Sequence, residues 1–298
     1  SSSIAGNRAE NNGGAIYLSD GMTIGQRCDG VYTITDNVAG NNGGAIYAAL
    51  LKFTNILVGY FNHVAEEDIH NVSIDISNNK AENGSGGAIY ISGGDNSSID
   101  IGNHIIQTDW TGEVISDIIY DGVIVKISNN TAALNGGGIY VADGGTLTMY
   151  CGTISGNTAT TNGGGIYTEN STVTIGGGTI SGNTATEEGG GAYILDGTFE
   201  MSGGLIGSEA TTTATKDAHS NSSKIAGGLC LNTANDVNSK ITITGGTISY
   251  NYASTLIGGL EISSIIAEID ISNLKVQYNC TYNDGGGIDV SCLEDCNL

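Results

Sequence analysis

The sequence predicts an all-β chain wound as a right-handed, single-stranded parallel β-helix, a solenoid of about 9–11 coils of roughly 26–31 residues each. Three observations predict it. A phrase returns along the chain: ISGNTATTNGGGIY from Ile154 to Tyr167 is answered by ISGNTATEEGGGAY from Ile180 to Tyr193. Within each phrase apolar and polar residues alternate with a period of two, in runs too short for a helix. The composition pairs 48 Gly with no Pro among 298 residues, so turns are frequent and no backbone N–H is missing from a hydrogen-bond ladder.

The repeat is anchored on the apolar residue that follows the glycines. The anchors are Ile16, Ile46, Ile89, Ile139, Ile166, Ala192, Leu229, Leu260 and Ile288. Nine residues before seven of them stands an asparagine: Asn7, Asn37, Asn130, Asn157, Asn183, Asn251 and Asn279. Asn79 and Asn221 miss that spacing by one residue. Three residues before most of these asparagines lies Ile or Val, and two after most of them lies Ala. A stretch such as 164–181 holds three short strands, GGIY, TVTI and GTIS, separated by Gly and Asn turns. Three strands in one unit make one coil, each strand pairing with its equivalent one coil on, about 4.8 Å along the axis. The handedness follows the general rule for parallel crossovers. The anchors face the core, the alanines fit a narrow corner, and the asparagines stack as an amide ladder.

GGAI at Gly13–Ile16, Gly43–Ile46 and Gly86–Ile89, each preceded by an IxxNxA phrase, resembles the paired GGAI and FxxN repeats of the polymorphic outer-membrane proteins. The resemblance covers nearly the whole chain and implies a β-helix with an adhesin-type role at the cell surface. Ile stands where that family often has Phe.

The charge limits the function. Nine Lys and Arg face 31 Asp and Glu, a formal charge of −22, which argues against nucleic acid as a partner. The nearest approach to a membrane span, Ala48–Phe61, is interrupted by Lys52 and Asn55. The chain opens inside a repeat, without an initiator Met or a signal peptide, and is read as processed or as a piece of something larger. Six cysteines (Cys28, Cys151, Cys230, Cys280, Cys292 and Cys296) contain no CxxC pair, so zinc is not expected. An oxidising compartment with a few disulfides is expected, their connectivity open. No cofactor is expected; Ca²⁺ is the one ion the acidity would suit.

Directly after six anchors comes Tyr, at Tyr17, Tyr47, Tyr90, Tyr140, Tyr167 and Tyr193. Because the anchor points in, the sequence predicts an outward Tyr ladder, a platform for sugar rings. The competing reading is that the rings stack on one another and only stabilise the sheet. The TLT, TVT and TIT triplets ending at Thr148, Thr174 and Thr244 are too few for an ice-matching array and read as a solvated β face. Residues 1–298 are read as one β-helix domain with insertions at about 49–72, 93–122 and 195–222. These hold His63, His70, His104 and His219 and the only tryptophan, Trp110, a further ligand candidate. Inverting hydrolysis needs two carboxyls about 6.5–9.5 Å apart. Asp100, Asp109, Asp117 and Asp121 are the best acidic group, but a solvated acidic loop accounts for them better than a catalytic pair does.

No caps are evident at either end. A second copy set end on would continue the repeat at its tightest spacing. Ile4, Ile16, Ile288 and Val290 are therefore the candidate end-to-end interface, and a heterologous contact of this kind grows a filament. The functional expectation is a non-enzymatic extracellular or cell-surface protein, adhesin-like, whose partners are copies of itself head to tail and glycans or surface receptors. The alternatives are an adhesin rod that does not stack and a β-helix polysaccharide lyase or glycoside hydrolase.

Overall fold

The computed structural model describes residues 1–19, 22–24, 30–49, 54–58, 72–94, 97–102, 104–108, 114–119, 123–142, 144–209, 217–233, 236, 238–264 and 268–292, with backbone alone at 54–58, 104–108 and 114–119. It is a right-handed parallel β-helix, and its described residues contain strands and turns but no helix. Three sheets run the length of the rod. Two have nine strands each, and the third has 15 because it carries two neighbouring columns of strands. In the middle coils those columns fuse into single strands, Ile166–Ile175 and Ala192–Met201.

The first sheet is the Ile column of the sequence pattern. Ile4, Ile34, Ile76, Ile127, Ile154, Ile180, Ile206, Ile248 and Val276 are matched rung to rung. The second sheet consists of short strands whose inward residue is Ala at Ala9, Ala39, Ala81, Ala132, Ala159 and Ala185, which lets the corner close tightly. The third sheet begins with the anchors, Ile16 to Ile288, in continuous register. Inward side chains of the first and third sheets form one core, with Phe199, Ile46, Ile74, Ile89 and Ile139 among its fully buried members. At about 25 cal/mol per Å² of apolar surface buried, such stacked columns are what hold a solenoid together, each coil relying on its neighbours.

The double glycine has two separate physical causes. Gly163 takes a φ of +64°, a conformation that costs other residues about 1–2 kcal/mol. Gly164 has ordinary dihedrals, but a Cβ there would run into the backbone of Gly190 and Thr184 in the next coil. The first glycine makes the turn and the second lets coils approach.

Parts of the predicted insertions are coil, a correction to the boundaries 49–72, 93–122 and 195–222. Thr54–Val58 pairs in parallel with Ser97–Ile101, which pairs with Thr146–Met149. The regular pattern was hidden because these strands lack the Gly-rich phrase. The 93–122 stretch does leave the coil beyond Ile101, as an antiparallel hairpin of His104–Thr108 with Val114–Ile119. In 195–222 the strand Ala192–Met201 and Leu205–Gly207 are both rungs, and the departure falls between Gly207 and Asn221.

Candidate functional site

The asparagine corner is a continuous amide ladder. Each side-chain nitrogen donates to the Oδ1 of the next asparagine: Asn7 to Asn37, Asn37 to Asn79, Asn79 to Asn130, Asn130 to Asn157, Asn157 to Asn183, Asn183 to Asn221, Asn221 to Asn251 and Asn251 to Asn279, at 2.8–3.0 Å. Asn79 and Asn221 therefore belong to the series despite their spacing, since one residue more or fewer before the anchor is absorbed by the turn. Most of these Nδ2 groups also donate to the carbonyl of the isoleucine one coil back, as Asn157 does to Ile127. The residue before each ladder asparagine lies in the left-handed region wherever the strand runs straight into the corner. It is Gly at Gly6, Gly156 and Gly182 but Asp36, Asn78, Asn129, Tyr250 and Tyr278 elsewhere. The ladder holds these conformations in place.

A second ladder, unforeseen from the sequence, uses the Asn that precedes the glycines. The backbone N–H of Asn42 donates to Asn12, Ser85 to Asn42, Asn135 to Ser85, Asn162 to Asn135 and Glu188 to Asn162. Here each side-chain oxygen accepts from the following coil, so the two ladders run with opposite polarity. The signal was the recurring N-G-G at Asn12, Asn42, Asn135 and Asn162.

The tyrosines stack in register, with ring centroids 5.3, 5.3, 4.7, 5.0 and 5.4 Å apart from Tyr17 through Tyr47, Tyr90, Tyr140 and Tyr167 to Tyr193. They do not form an exposed platform. Tyr17 is 59% exposed, but Tyr140, Tyr167 and Tyr193 are buried with Ala226 and Cys230 in a second small apolar cluster. Each ring face is covered by the next ring, which removes the surface a sugar would stack on. The Tyr140 hydroxyl donates to Glu169 at 3.0 Å, and burial, then Tyr90 and Glu169, push its ionisation far above the ordinary range. Trp110, the other aromatic candidate, lies outside the described residues, as do His63, His70, Asp109 and Asp121.

Beyond Tyr193 the same outward column continues as Cys230, Glu261 and Asp289. The Cys230 sulfur lies 4.0 Å from Glu188 and 3.8 Å from Glu261. Burial raises the thiol's pKa well above its ordinary value, with both carboxylates adding to the shift. Burial, Glu188 and Asp289 push Glu261 up to about 6. Cys230 and Cys280 are thiols, so neither is among the few disulfides expected, whose positions the sequence left open. Among the described residues no three His, Cys, Asp or Glu side chains converge as a metal-binding group. Asp100 is raised by burial and accepts from Thr148.

The ends of the described rod differ from its middle. Ile4 is 37% and Ile288 45% exposed, whereas their equivalents Ile154 and Ile166 are fully buried. Ile16 and Val290 are half-buried against the core. An apolar hollow of about 160 Å³ opens between Ile4, Ile16, Met22, Ile24 and Ile34.

These features define a ladder-stabilised repeat solenoid, a class in which function is carried on the flanks and ends of a rigid rod. Within that class, five stretches of the chain are similar to one known repeat. The model of the Chlamydia polymorphic membrane protein repeat matches at five places, residues 1–19, 32–49, 73–92, 125–142 and 152–169. Each match runs from a first-sheet strand through the asparagine corner to the start of the third sheet. No curated protein and no solved structure matches the chain. No helix is long and apolar enough to cross a membrane among the described residues.

Proposed function

We propose that this chain is an adhesin-like rod of a cell surface that binds rather than turns over its partners, and that its end rungs join a second copy head to tail. The repeat match supports the surface role. The observation that carries the joint is the pair of complementary ends. At one end Asn7 Oδ1 accepts no bond among the described residues, while Asn279 at the other donates to Ile248 but reaches no further asparagine. A second copy set end on brings Asn279 to Asn7 with the polarity of every internal step. It also covers Ile4, Ile16, Ile288 and Val290 with like side chains, removing exposed apolar surface and unpaired strand edges. Sedimentation velocity across a concentration series tests the joint. The parent chain assembles into linear species and Ile4→Asp with Val290→Asp shifts it to monomer. A parent that stays monomeric at every concentration overturns the joint, and failure of intact cells displaying the chain to bind any surface that bare cells do not overturns the adhesin reading.

A further inference from the structure

The outer face of the first sheet is built of hydroxyls. Around the trough its outward columns carry Thr153, Thr179 and Thr247 on one side and Ser155 and Ser181 on the other, where Gly207 and the buried Ser249 follow. Over most of the rod this face meets the asparagine corner at once, as in Ser155, Gly156, Asn157. Between Gly207 and Asn221 the chain departs, and the described ends of that departure are tied down. The Ser249 hydroxyl donates to the Ser208 carbonyl at 2.7 Å, and Gly182 N–H donates to the His219 carbonyl at 2.7 Å. Asp217 closes the turn by accepting from the backbone of His219 and Ser220. The described residues on either side of that departure, Ser208 and Glu209 and then Asp217–Ser220, therefore stand beside the sheet.

The result is a trough along the rod axis. Two hollows of about 450 and 350 Å³ share Thr179, Leu205 and Glu209, and Lys275 stands at the far end. From the Thr179 rung to the Lys275 rung is three steps, about 14 Å. In the middle the outward threonine is replaced by Leu205, a half-buried apolar side chain between hydroxyls.

We propose that this trough binds an extended, uncharged glycan of two to three sugar units. The sheet's main-chain groups are already paired rung to rung, so a peptide strand has nothing to add to. Side-chain hydroxyls both donate and accept, which is what a polyhydroxyl chain requires. Leu205 offers an apolar patch for the C–H face of a pyranose, and Glu209 and Lys275 reach its hydroxyls from the rim. A β1,4-linked ribbon advances by nearly one rung per sugar, so successive units meet successive rungs. The charge of −22 disfavours polyanionic glycans. The inference deepens the adhesin-like reading and is independent of the head-to-tail joint.

Titration calorimetry with cellohexaose and with chitohexaose, run on the full chain, tests it. Saturable binding of at least one is expected, weakened about tenfold or more by Leu205→Asp and by Thr247→Ala. Thr33→Val, in the same outward column but away from the trough, leaves affinity unchanged. Circular dichroism verifies that each variant keeps the parent's strand content, and the milder Thr247→Ala keeps the test valid should Leu205→Asp unfold. Absence of binding to both oligosaccharides overturns the proposal, as does binding that neither trough variant weakens. Either failure leaves cell attachment, measured on displayed chain, as a separate result.

Discussion

Replacing Asn157 with Ala tests whether the amide ladder stabilises the fold or merely decorates it. Asn157 is fully buried. Its Nδ2 donates to Ile127 and Asn183 at 2.9 Å, and its Oδ1 accepts from the backbone and side chain of Asn130 at 3.0 and 2.9 Å. Both amide hydrogens and both lone pairs are used, the full capacity of the side chain. Alanine leaves the Asn130 N–H and one Asn130 side-chain hydrogen buried without a partner and removes one acceptor bond from the Ile127 carbonyl. At roughly 1–3 kcal/mol for each orphaned group, and allowing for partial relaxation, the loss is about 3–5 kcal/mol. The isosteric Asn157→Asp distinguishes hydrogen bonding from packing. A carboxylate can accept from Asn130 but faces the oxygens of Ile127 and Asn183, so only the protonated form fits. Its folded pKa is then raised, and the variant loses stability as pH rises from about 4. Urea unfolding followed by circular dichroism gives the magnitude, and hydrogen exchange at the Asn130 amide reports the local effect in a chain whose coils can open separately. A loss under about 1 kcal/mol for Asn157→Ala, or an Asn157→Asp whose deficit is the same at pH 4 and pH 7, would refute the reasoning.

Four further outcomes are expected. Thr168, fully buried in the column of Val141 and Ile194, has a hydroxyl with no partner among the described residues. Thr168→Val stabilises by about 1–2 kcal/mol in urea unfolding. Glu261 titrates near 6 in the folded chain, so the parent loses stability as pH rises from 4.5 through about 6. Glu261→Gln recovers about 1 kcal/mol at pH 7, after allowance for solvent screening, and nothing at pH 4, a difference read from paired denaturation curves. Tyr140 and Tyr193 are held protonated by burial, so absorbance at 295 nm shows them ionising only with unfolding, and stability falls as pH rises above about 10. Tyr250, non-glycine at a φ of +55° but buried and stacked on Tyr278, loses about 1 kcal/mol on replacement by Asn, observable as a lowered melting temperature, because the lost burial exceeds the relief of backbone strain.

Much of the fold was legible because each coil repeats one set of local requirements. The anchor isoleucines, the corner alanines and seven of the nine ladder asparagines all stand at fixed spacings, so counting found them. Asn79 and Asn221 escaped the count because a turn absorbs a residue without moving the corner. Thr54–Val58 and Ser97–Ile101 escaped because a strand paired on both sides needs no glycine phrase to mark it. The Tyr column was placed on the correct strand edge, but its exposure was misjudged. Alternation says only that a side chain leaves the core, and rings about 5 Å apart cover one another once they stack.

The sequence by itself determined the coil, because in-register parallel pairing demands the same residue type at the same place in every turn, and that demand is written as periodicity. Only the tertiary structure decided what the flanks offer. Whether an outward tyrosine is open depends on its neighbours one coil away, and what flanks the Thr and Ser face depends on where Ser208 and His219 are tied. Such relations join residues about 40 positions apart through contacts that no repeat spacing encodes.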